Sequence, residues 1–250
     1  IDIRDRQNDL LCDNEGHIVL YKEKTGRLEH GKVEPPYRPV VRVSKEDGQI
    51  DSLSHWLDYY TTMGVKAELA DGNAWTLDVP IPALVKLNGK VYVSEVASDT
   101  IYQLEKSSLQ PFATRTPSVK ESEGEKRLLM LQGITPHYYH FRLQAKELSG
   151  GSASGMTIKL TDDESKEVMY DVKTGEAFCP KFSNRDHASE VSYDELTFDG
   201  CDENSAYLLL EAFCLVEALE AGELSGELKA IAEGLKEDDN PVLMVVKFKE

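Results

Sequence analysis

The sequence has few cysteines, no glycosylation signal and no metal-binding cysteine motif. Its four cysteines, Cys12, Cys179, Cys201 and Cys214, form no C-x-x-C pair, so neither a structural zinc site nor a thioredoxin-like redox motif is expected. We expect these residues to be small buried apolar side chains, with one disulfide in an oxidising compartment as the alternative. The chain contains no N-x-[ST] sequon, so the sequence gives no sign of N-glycosylation.

Long apolar runs and basic residues are also scarce. No stretch approaches the roughly 20 apolar residues that a membrane-spanning helix needs. The first residues, IDIRDRQNDL, carry neither an initiating methionine nor the apolar core of a signal peptide, so we expect a mature form or a fragment. The 28 basic and 45 acidic residues give a net charge of -17, which repels phosphates and anionic lipid. Nucleic acid is therefore excluded as a partner.

Short apolar runs separated by turn residues predict a mainly β protein. The 250 residues are 40% hydrophobic, enough for a sizeable core, and we expect one domain over 1–250. Residues 17–21 follow the turn 13–16, and residues 90–93 follow Asn88 and Gly89, a pair that suits a tight hairpin turn. Strands are predicted at four segments around this turn, which together form a four-stranded meander: 83–87, 90–96, 100–105 and 110–114.

An internal repeat indicates that one hairpin unit is used at least twice. Residues 19–26 (VLYKEKTG) and 168–175 (VMYDVKTG) are identical at five of eight positions. In both, an apolar strand is followed by a Gly that suits a β-turn, after which a second strand begins. Repeated four-stranded meanders predict an all-β propeller with four-stranded antiparallel blades. A β-sandwich with similar hairpins is the alternative.

Helical spacing interrupts the β pattern in two places. A short helix is predicted over 51–63, and a helical insertion is predicted over 206–236, with Ser225 as a cap for its second helix. After the insertion, residues 242–248 (VLMVVKF) are apolar at every position except Lys247. This pattern predicts a strand buried on both faces, which closes the ring of blades.

Two segments resemble a known family. Residues 235–249, and residues 88–113 with the phrase SDTIYQL followed by LQP, are similar to the six-bladed, NHL-like β-propeller family of exported proteins from anaerobic gut Gram-negative bacteria. The resemblance covers roughly residues 10–250. It implies a propeller fold, an extracytoplasmic location and, in the full-length precursor, a lipid anchor. The chain is shorter than six blades of about 45 residues each would require, so blades are missing or the ring is smaller.

The motifs that carry chemistry are weak. The glycine-rich segment 149–155 lacks the Lys of a phosphate-binding loop and the central Ser of a nucleophile elbow. His137 and His140 lie three apart in a predicted strand, and alternation sends them to opposite faces. Residues 199–204 offer oxygen ligands without the spacing of a calcium loop. Asp186 and His187 lie in a polar loop that suits either acid–base chemistry or ordinary surface ion pairing.

The leading hypothesis is a non-enzymatic binding or interaction module whose partner is a small ligand, a glycan or a protein. Aromatic side chains at the rim of a propeller can stack on a sugar or hold a peptide. The alternatives are a metal-dependent propeller hydrolase or lyase, and a helical insertion that docks on a membrane protein. We expect a monomer and assign no residue to catalysis, a cofactor or a metal. The predicted ligand-binding residues are Trp56, Tyr59, Tyr60, His137, Asp186 and His187.

Overall fold

The structure, a computed structural model, describes residues 7–22, 31–53, 57–60, 63–68, 74–79, 81–116, 118, 127–145, 147–150, 165–188, 196–198 and 202–248. Its elements in chain order are β1 (Gln7–Cys12), β2 (His17–Lys22), β3 (Gly31–Tyr37), β4 (Val40–Ser44), β5 (Ile50–Ser52), β6 (Leu57–Tyr60), β7 (Met63–Glu68), β8 (Ala74–Val79), β9 (Leu84–Leu87), β10 (Lys90–Val93), β11 (Thr100–Glu105), β12 (Ser108–Thr114), β13 (Arg127–Ile134), β14 (Tyr138–Ala145), β15 (Glu147–Gly150), β16 (Ser165–Asp171), β17 (Ala177–Phe178), β18 (Ser205–Leu210), α1 (Ala212–Glu220), α2 (Gly226–Ala232) and β19 (Val242–Lys247).

The predicted fold class is confirmed at the level of mainly β structure with four-stranded antiparallel sheets and two helices among the described residues. None of the described sheets closes on itself, so the propeller ring stays a prediction. The chain divides into two compact units, and the single domain expected over 1–250 stays a prediction. The first holds Ile1–Leu131 and Phe141–Lys166, and the second holds Gln132–His140 and Glu167–Glu250.

The first unit contains a sheet in the order β1-β2-β4-β5. Strand β2 pairs antiparallel with β1, as the sequence predicted for the second strand of a hairpin. The hairpin turn is fixed by Asp13, whose carboxylate accepts the N–H groups of Glu15 at 2.9 Å and His17 at 2.7 Å. Burial alone would raise the pKa of Asp13, but these N–H groups and the guanidinium of Arg42 lower it below its ordinary value.

The predicted meander is confirmed in the sheet β12-β11-β10-β9. Its first turn has Asn88 at φ 51° and Gly89 at φ 73°, the pair of positive angles that a tight hairpin turn requires. The two sheets share one apolar core, because Val19 and Val40 from the first and Leu84, Val91 and Val93 from the second belong to the same buried cluster. Burial of this shared cluster is the main apolar contribution that holds the two sheets together.

The helix predicted over 51–63 is wrong for the residues that the structure describes. Residues 50–52 form β5, which pairs with β4, and residues 57–60 form β6, which pairs with β3. Met63 begins β7, which pairs with β8 and, in parallel, with β15. The helical spacing of apolar residues is present in this segment, but pairing with distant strands decides its conformation.

The second copy of the predicted repeat forms the expected turn. Gly175 has φ 75°, and its N–H donates to the carbonyl of Asp171 at 2.8 Å, which closes the turn between β16 and β17. These strands belong to a sheet in the order β13-β14-β16-β17. Residues 23–30, which carry the turn of the first copy, lie outside the described residues.

The end of the second unit differs from its prediction at both segments. Residues 206–210 belong to strand β18, and helices form only at α1 and α2. Strand β19 pairs antiparallel with β18 and has half-buried and exposed residues in alternation, so it is not buried on both faces. These two strands form a two-stranded sheet, and β19 therefore closes no ring among the described residues.

Candidate interaction surface

The predicted aromatic site cannot be placed as a group of side chains. Trp56, together with the side chains of Tyr59 and Tyr60, lies outside the described part of the chain. The main chain of both tyrosines is in β6, where Tyr59 pairs with Lys32 and Tyr60 with Gly31. A glycan site at these residues stays a prediction.

His137 lies in the exposed turn between β13 and β14, and not within a strand as predicted. Its carbonyl accepts the N–H of Val172 at 3.0 Å, and its ring lies edge-on to Tyr138. The described contacts do not join His137 to Asp186 or His187. A ligand site that joins these three polar residues stays a prediction.

Asp186 has a structural role as a helix cap. Its Oδ2 accepts the N–H of Glu227 at 3.0 Å and that of Leu228 at 3.4 Å, at the start of α2. The Ser225 side chain, predicted to cap this helix, makes no capping hydrogen bond. His187 pairs through its main chain with Leu224. The loop therefore fixes the position of α2, which favours the structural interpretation of Asp186 over acid–base chemistry.

His140 is buried within an aromatic cluster of the second unit. Its ring centroid lies 4.5 Å from that of Phe198 and 5.0 Å from that of Phe248. Burial lowers the pKa of His140 to about 4, and its Nε2 has no hydrogen-bond partner among the described groups. The imidazole is therefore neutral at pH 7 and packs as an aromatic side chain.

Glu95 is a buried carboxyl group that no sequence motif indicates. It is 9% exposed, and both of its side-chain oxygens lie near the N–H of Ala97, at 3.2 and 3.1 Å. Burial raises the pKa of Glu95 to about 7, although the N–H of Ala97 acts in the opposite direction. Among the described residues it is joined to no histidine or cysteine, so it forms no recognisable catalytic pair.

A cleft of about 330 Å³ lies in the first unit, beside turns of its two four-stranded sheets β1-β2-β4-β5 and β12-β11-β10-β9. Arg42 borders this cleft, but its guanidinium is already bound by Asp13 at 2.9 Å and by Glu15 at 2.6 Å. The remaining charges, Lys90, Lys106 and Glu105, are of both signs. The lining as a whole carries no net charge that would select an ionic ligand.

The cysteines and acidic clusters give no metal or redox centre in the part of the chain that the structure describes. Cys12, Cys179 and Cys214 are free thiols and all are exposed, which corrects the expectation of buried side chains. Cys201 lies outside the described residues. No group of three His, Cys, Asp or Glu side chains among the described residues could hold a metal ion. Asp202 instead accepts hydrogen bonds from Ser205 Oγ and the N–H of Asn204, which lower its pKa.

An exposed apolar surface is the clearest candidate for function. Tyr207 lies opposite Val245 and Leu209 opposite Leu243, so the four side chains share one side of the β18–β19 sheet. Leu209 is 59% exposed, Leu243 57% and Val245 54%. We call these four residues the hairpin face. Exposed apolar residues grouped in this way mark sites of interaction.

The opposite side of the same sheet is buried, in part against the helices. Leu210 and Val242 pack against the buried cluster of α1 and α2, which includes Leu215, Leu224 and Leu228. Ala206 and Leu208, on the same side, are buried. The helices therefore account for only one of the two apolar sides that the sequence of β19 provides.

Acidic residues lie beyond both ends of the β18–β19 sheet, and seven others lie in or around the helices on its buried side. Residues 202–248 contain 11 acidic and three basic residues, a net charge of -8 out of the -17 of the chain. Asp202 and Glu203 directly precede β18, while Asp238 and Asp239 lie shortly before β19. Because the strands are antiparallel, these pairs lie at opposite ends of the sheet. A cationic partner is favoured at such a surface.

Comparisons with known proteins leave the family open. No protein-family model and no curated protein matches the chain. Among solved structures, it is similar to the crystal structure of a Bacteroides fragilis protein predicted to be exported, with 12% identity and a TM-score of 0.46 over 97% of this chain and 77% of that one. This similarity assigns neither a family nor an activity. In the described residues, no helix is long and apolar enough to cross a membrane.

Proposed function

We propose that this chain is a non-enzymatic, extracytoplasmic interaction module that binds a positively charged partner polypeptide through the hairpin face. The observation that carries the proposal is the exposure of Leu209, Leu243 and Val245 on one side of a sheet whose other side is covered. Fully burying a Leu or Val side chain contributes about 1.5–3 kcal/mol, so covering these side chains is a substantial driving force for association.

The surface fits a polypeptide better than a glycan. Sugars are usually held by flat aromatic rings and polar groups, whereas the hairpin face has three aliphatic side chains and one tyrosine. Aliphatic contacts favour the alternating apolar side chains of a protein segment. Asp202, Glu203, Asp238 and Asp239, at the two ends of the sheet, support a partner that carries lysine or arginine.

A propeller-like arrangement of the sheets is part of the proposal. Its support is the pair of four-stranded sheets in the first unit, which share one buried cluster as neighbouring blades do. The extracytoplasmic location and the lipid anchor rest on the resemblance of residues 88–113 to an exported propeller family. Fractionation of the producing cell tests the location, and recovery in the cytoplasm would contradict it.

Binding of a cationic apolar peptide tests the proposed function. The probe is a fluorescein-labelled nonapeptide of alternating lysine and valine, measured by fluorescence anisotropy at low ionic strength. We compare Leu243→Gln with Leu10→Gln, because Leu10 is equally exposed, at 56% against 57%, but lies in β1. We expect Leu243→Gln to raise Kd about tenfold and Leu10→Gln to leave it within about twofold, since only the first removes a contact of the hairpin face.

A peptide of alternating glutamate and valine is the charge control and should bind far more weakly. Equal effects of the two leucine substitutions, or no binding of the lysine peptide to the wild-type protein, would contradict the proposed function.

A further inference from the structure

We propose that the outer edge of β19 binds the partner as an added β-strand, so that an extended cationic segment extends the β18–β19 sheet. This inference rests on the proposed function, because it specifies how the partner of the hairpin face is held. Strand addition requires main-chain groups on β19 that bond to no other strand, and exposed side chains beside them. The charges near this edge then decide which kind of segment binds.

The hydrogen bonds at β18 and β19 show which main-chain groups of this two-stranded sheet point outward. The N–H of Tyr207 donates to the carbonyl of Thr197 at 2.9 Å, so the main chain of Tyr207 points away from β19. The N–H of Phe248 donates to the carbonyl of Asn204 at 2.8 Å, so Phe248 points toward β18. Bonded and non-bonded pairs alternate in an antiparallel ladder. Both observations give the same alternation along β19.

It follows that Val242, Met244 and Val246 bond to β18, while Leu243, Val245 and Lys247 direct their N–H and C=O groups to the outer edge. No strand pairs with this edge among the described residues. The edge therefore presents three donors and three acceptors at the spacing that an incoming strand needs.

The same residues carry the exposed side chains. Leu243 and Val245 belong to the hairpin face, and Lys247 is exposed at its end. An added strand would bond to the main chain of these residues, and its own alternate side chains would cover Leu243 and Val245. Strand addition combines main-chain bonding with side-chain contacts in this way.

Apart from Lys247, the edge lacks the features that usually prevent strand addition. Strand β19 pairs with β18 over six consecutive residues without a register shift, whereas β1 and β2 have a shift between Gln7 and Asp9. Bulges, prolines and charges commonly protect an edge strand. Within β19, Lys247 is the one charged residue and no proline occurs.

Charge decides between a foreign segment and a second copy of this chain. Two copies that paired antiparallel through β19 would bring Asp202 and Glu203 of one copy to the same end of the sheet as Asp238 and Asp239 of the other, and these carboxylates repel. Carboxylates at both ends of the sheet instead attract a segment with lysine or arginine among its apolar residues. The geometry and charge therefore point to an extended cationic segment of another polypeptide.

Two substitutions at Val245 test strand addition with the alternating lysine and valine probe. Val245→Pro removes an outward N–H that makes no bond to β18, so the hairpin is retained, as edge strands tolerate proline. Val245→Thr keeps the N–H and the branched shape but makes the side chain more polar. We expect Val245→Pro to raise Kd at least thirtyfold and Val245→Thr to raise it less than fivefold. Contact with the apolar face alone predicts the opposite order.

A second measurement uses the wild-type protein, so it does not depend on the folding of a variant. A probe with every amide N-methylated keeps its charge and valines but cannot donate to a strand edge, and we expect at least a thirtyfold loss of affinity. Unchanged binding of this probe, or tighter binding by Val245→Pro than by Val245→Thr, would overturn strand addition. If Leu243→Gln still weakens binding in that case, the proposed function stands. If the unmodified probe does not bind the wild-type protein, both fail.

Discussion

Leu209 and Leu243 lie opposite each other in adjacent strands, and more than half of each side chain is exposed, 59% and 57%. A directly opposed pair of large aliphatic side chains is usual beneath a covering layer and unusual on an open surface. The sequence of β19, which is apolar at successive positions, is typical of a strand covered on both sides. In the structure one side of the β18–β19 sheet is buried, and the proposed partner would cover the other side.

Gly133→Ala should destabilise the aromatic cluster of the second unit. A Cβ at Gly133 would lie 2.4 Å from Cγ of Phe198, a distance that forces the ring to move. We expect a loss of about 1–3 kcal/mol in the free energy of unfolding, measured by urea denaturation. Gly234→Ala is the control, because its Cβ would meet the Ile231 carbonyl at an ordinary 3.5 Å. Equal effects of the two substitutions would contradict the packing described around Phe198.

Asp186→Ala should remove the cap of α2. Its carboxylate accepts two N–H groups of that helix, and loss of a cap costs about 0.5–2 kcal/mol of folding free energy. Asp186→Asn should restore most of this stability because an amide oxygen also caps. Arg185→Ala is the control: its side chain is 97% exposed, and its 3.8 Å ion pair with Asp186 Oδ1 should contribute well under 1 kcal/mol, about 0–1 at most for an exposed pair. Equal melting temperatures of the Asp186→Asn and Asp186→Ala variants would contradict the capping role.

Glu95→Gln should stabilise the protein at neutral and higher pH. The pKa of Glu95 is raised from 4.5 to about 7, so the unfolded state loses its proton first as the pH rises. Stability from this group is fully present below pH 4.5 and is lost through pH 7, by about 3 kcal/mol at most. Denaturation at pH 4 and pH 8 should show a gain for the variant at pH 8 alone. An equal difference at both pH values would show that Glu95 is not buried in its neutral form.

His140→Phe should reduce the loss of stability in acid. The pKa of His140 is lowered from 6.5 to about 4, so the unfolded state binds a proton first as the pH falls. Stability from the neutral ring is fully present above pH 6.5 and is lost as the pH falls to 4, by about 3 kcal/mol at most. Phenylalanine keeps the contacts with Phe198 and Phe248 without a proton to gain. Identical unfolding curves against pH for the two proteins would contradict this assignment.

Local sequence signals predicted the parts of the fold that depend on local structure. Asn88 and Gly89 specify their own turn, because both adopt positive φ angles there, and the strands on either side follow from short apolar runs. The meander of β9 to β12 therefore matched its prediction closely.

Predictions failed where distant pairing decides conformation. Residues 57–60 have helical spacing but pair with β3, and residues 206–210 pair with β19, more than 30 residues along the chain. The side-chain role of Asp186 depends on α2, which lies about 40 residues away, so no local motif shows it. The hairpin face was missed for the same reason: periodicity shows that β19 has two apolar sides, but not which of them is covered.

Amide hydrogen exchange of β19, followed by NMR with and without the alternating lysine and valine probe, tests the central claim most directly. In the free protein, we expect the amides of Met244 and Val246 to exchange slowly and those of Leu243, Val245 and Lys247 to exchange fast, because the latter three point to the open edge. Saturation with the probe should slow all three outward amides by at least tenfold. Unchanged exchange at these amides in the saturated complex, or protection confined to other parts of the chain, would contradict binding at this edge.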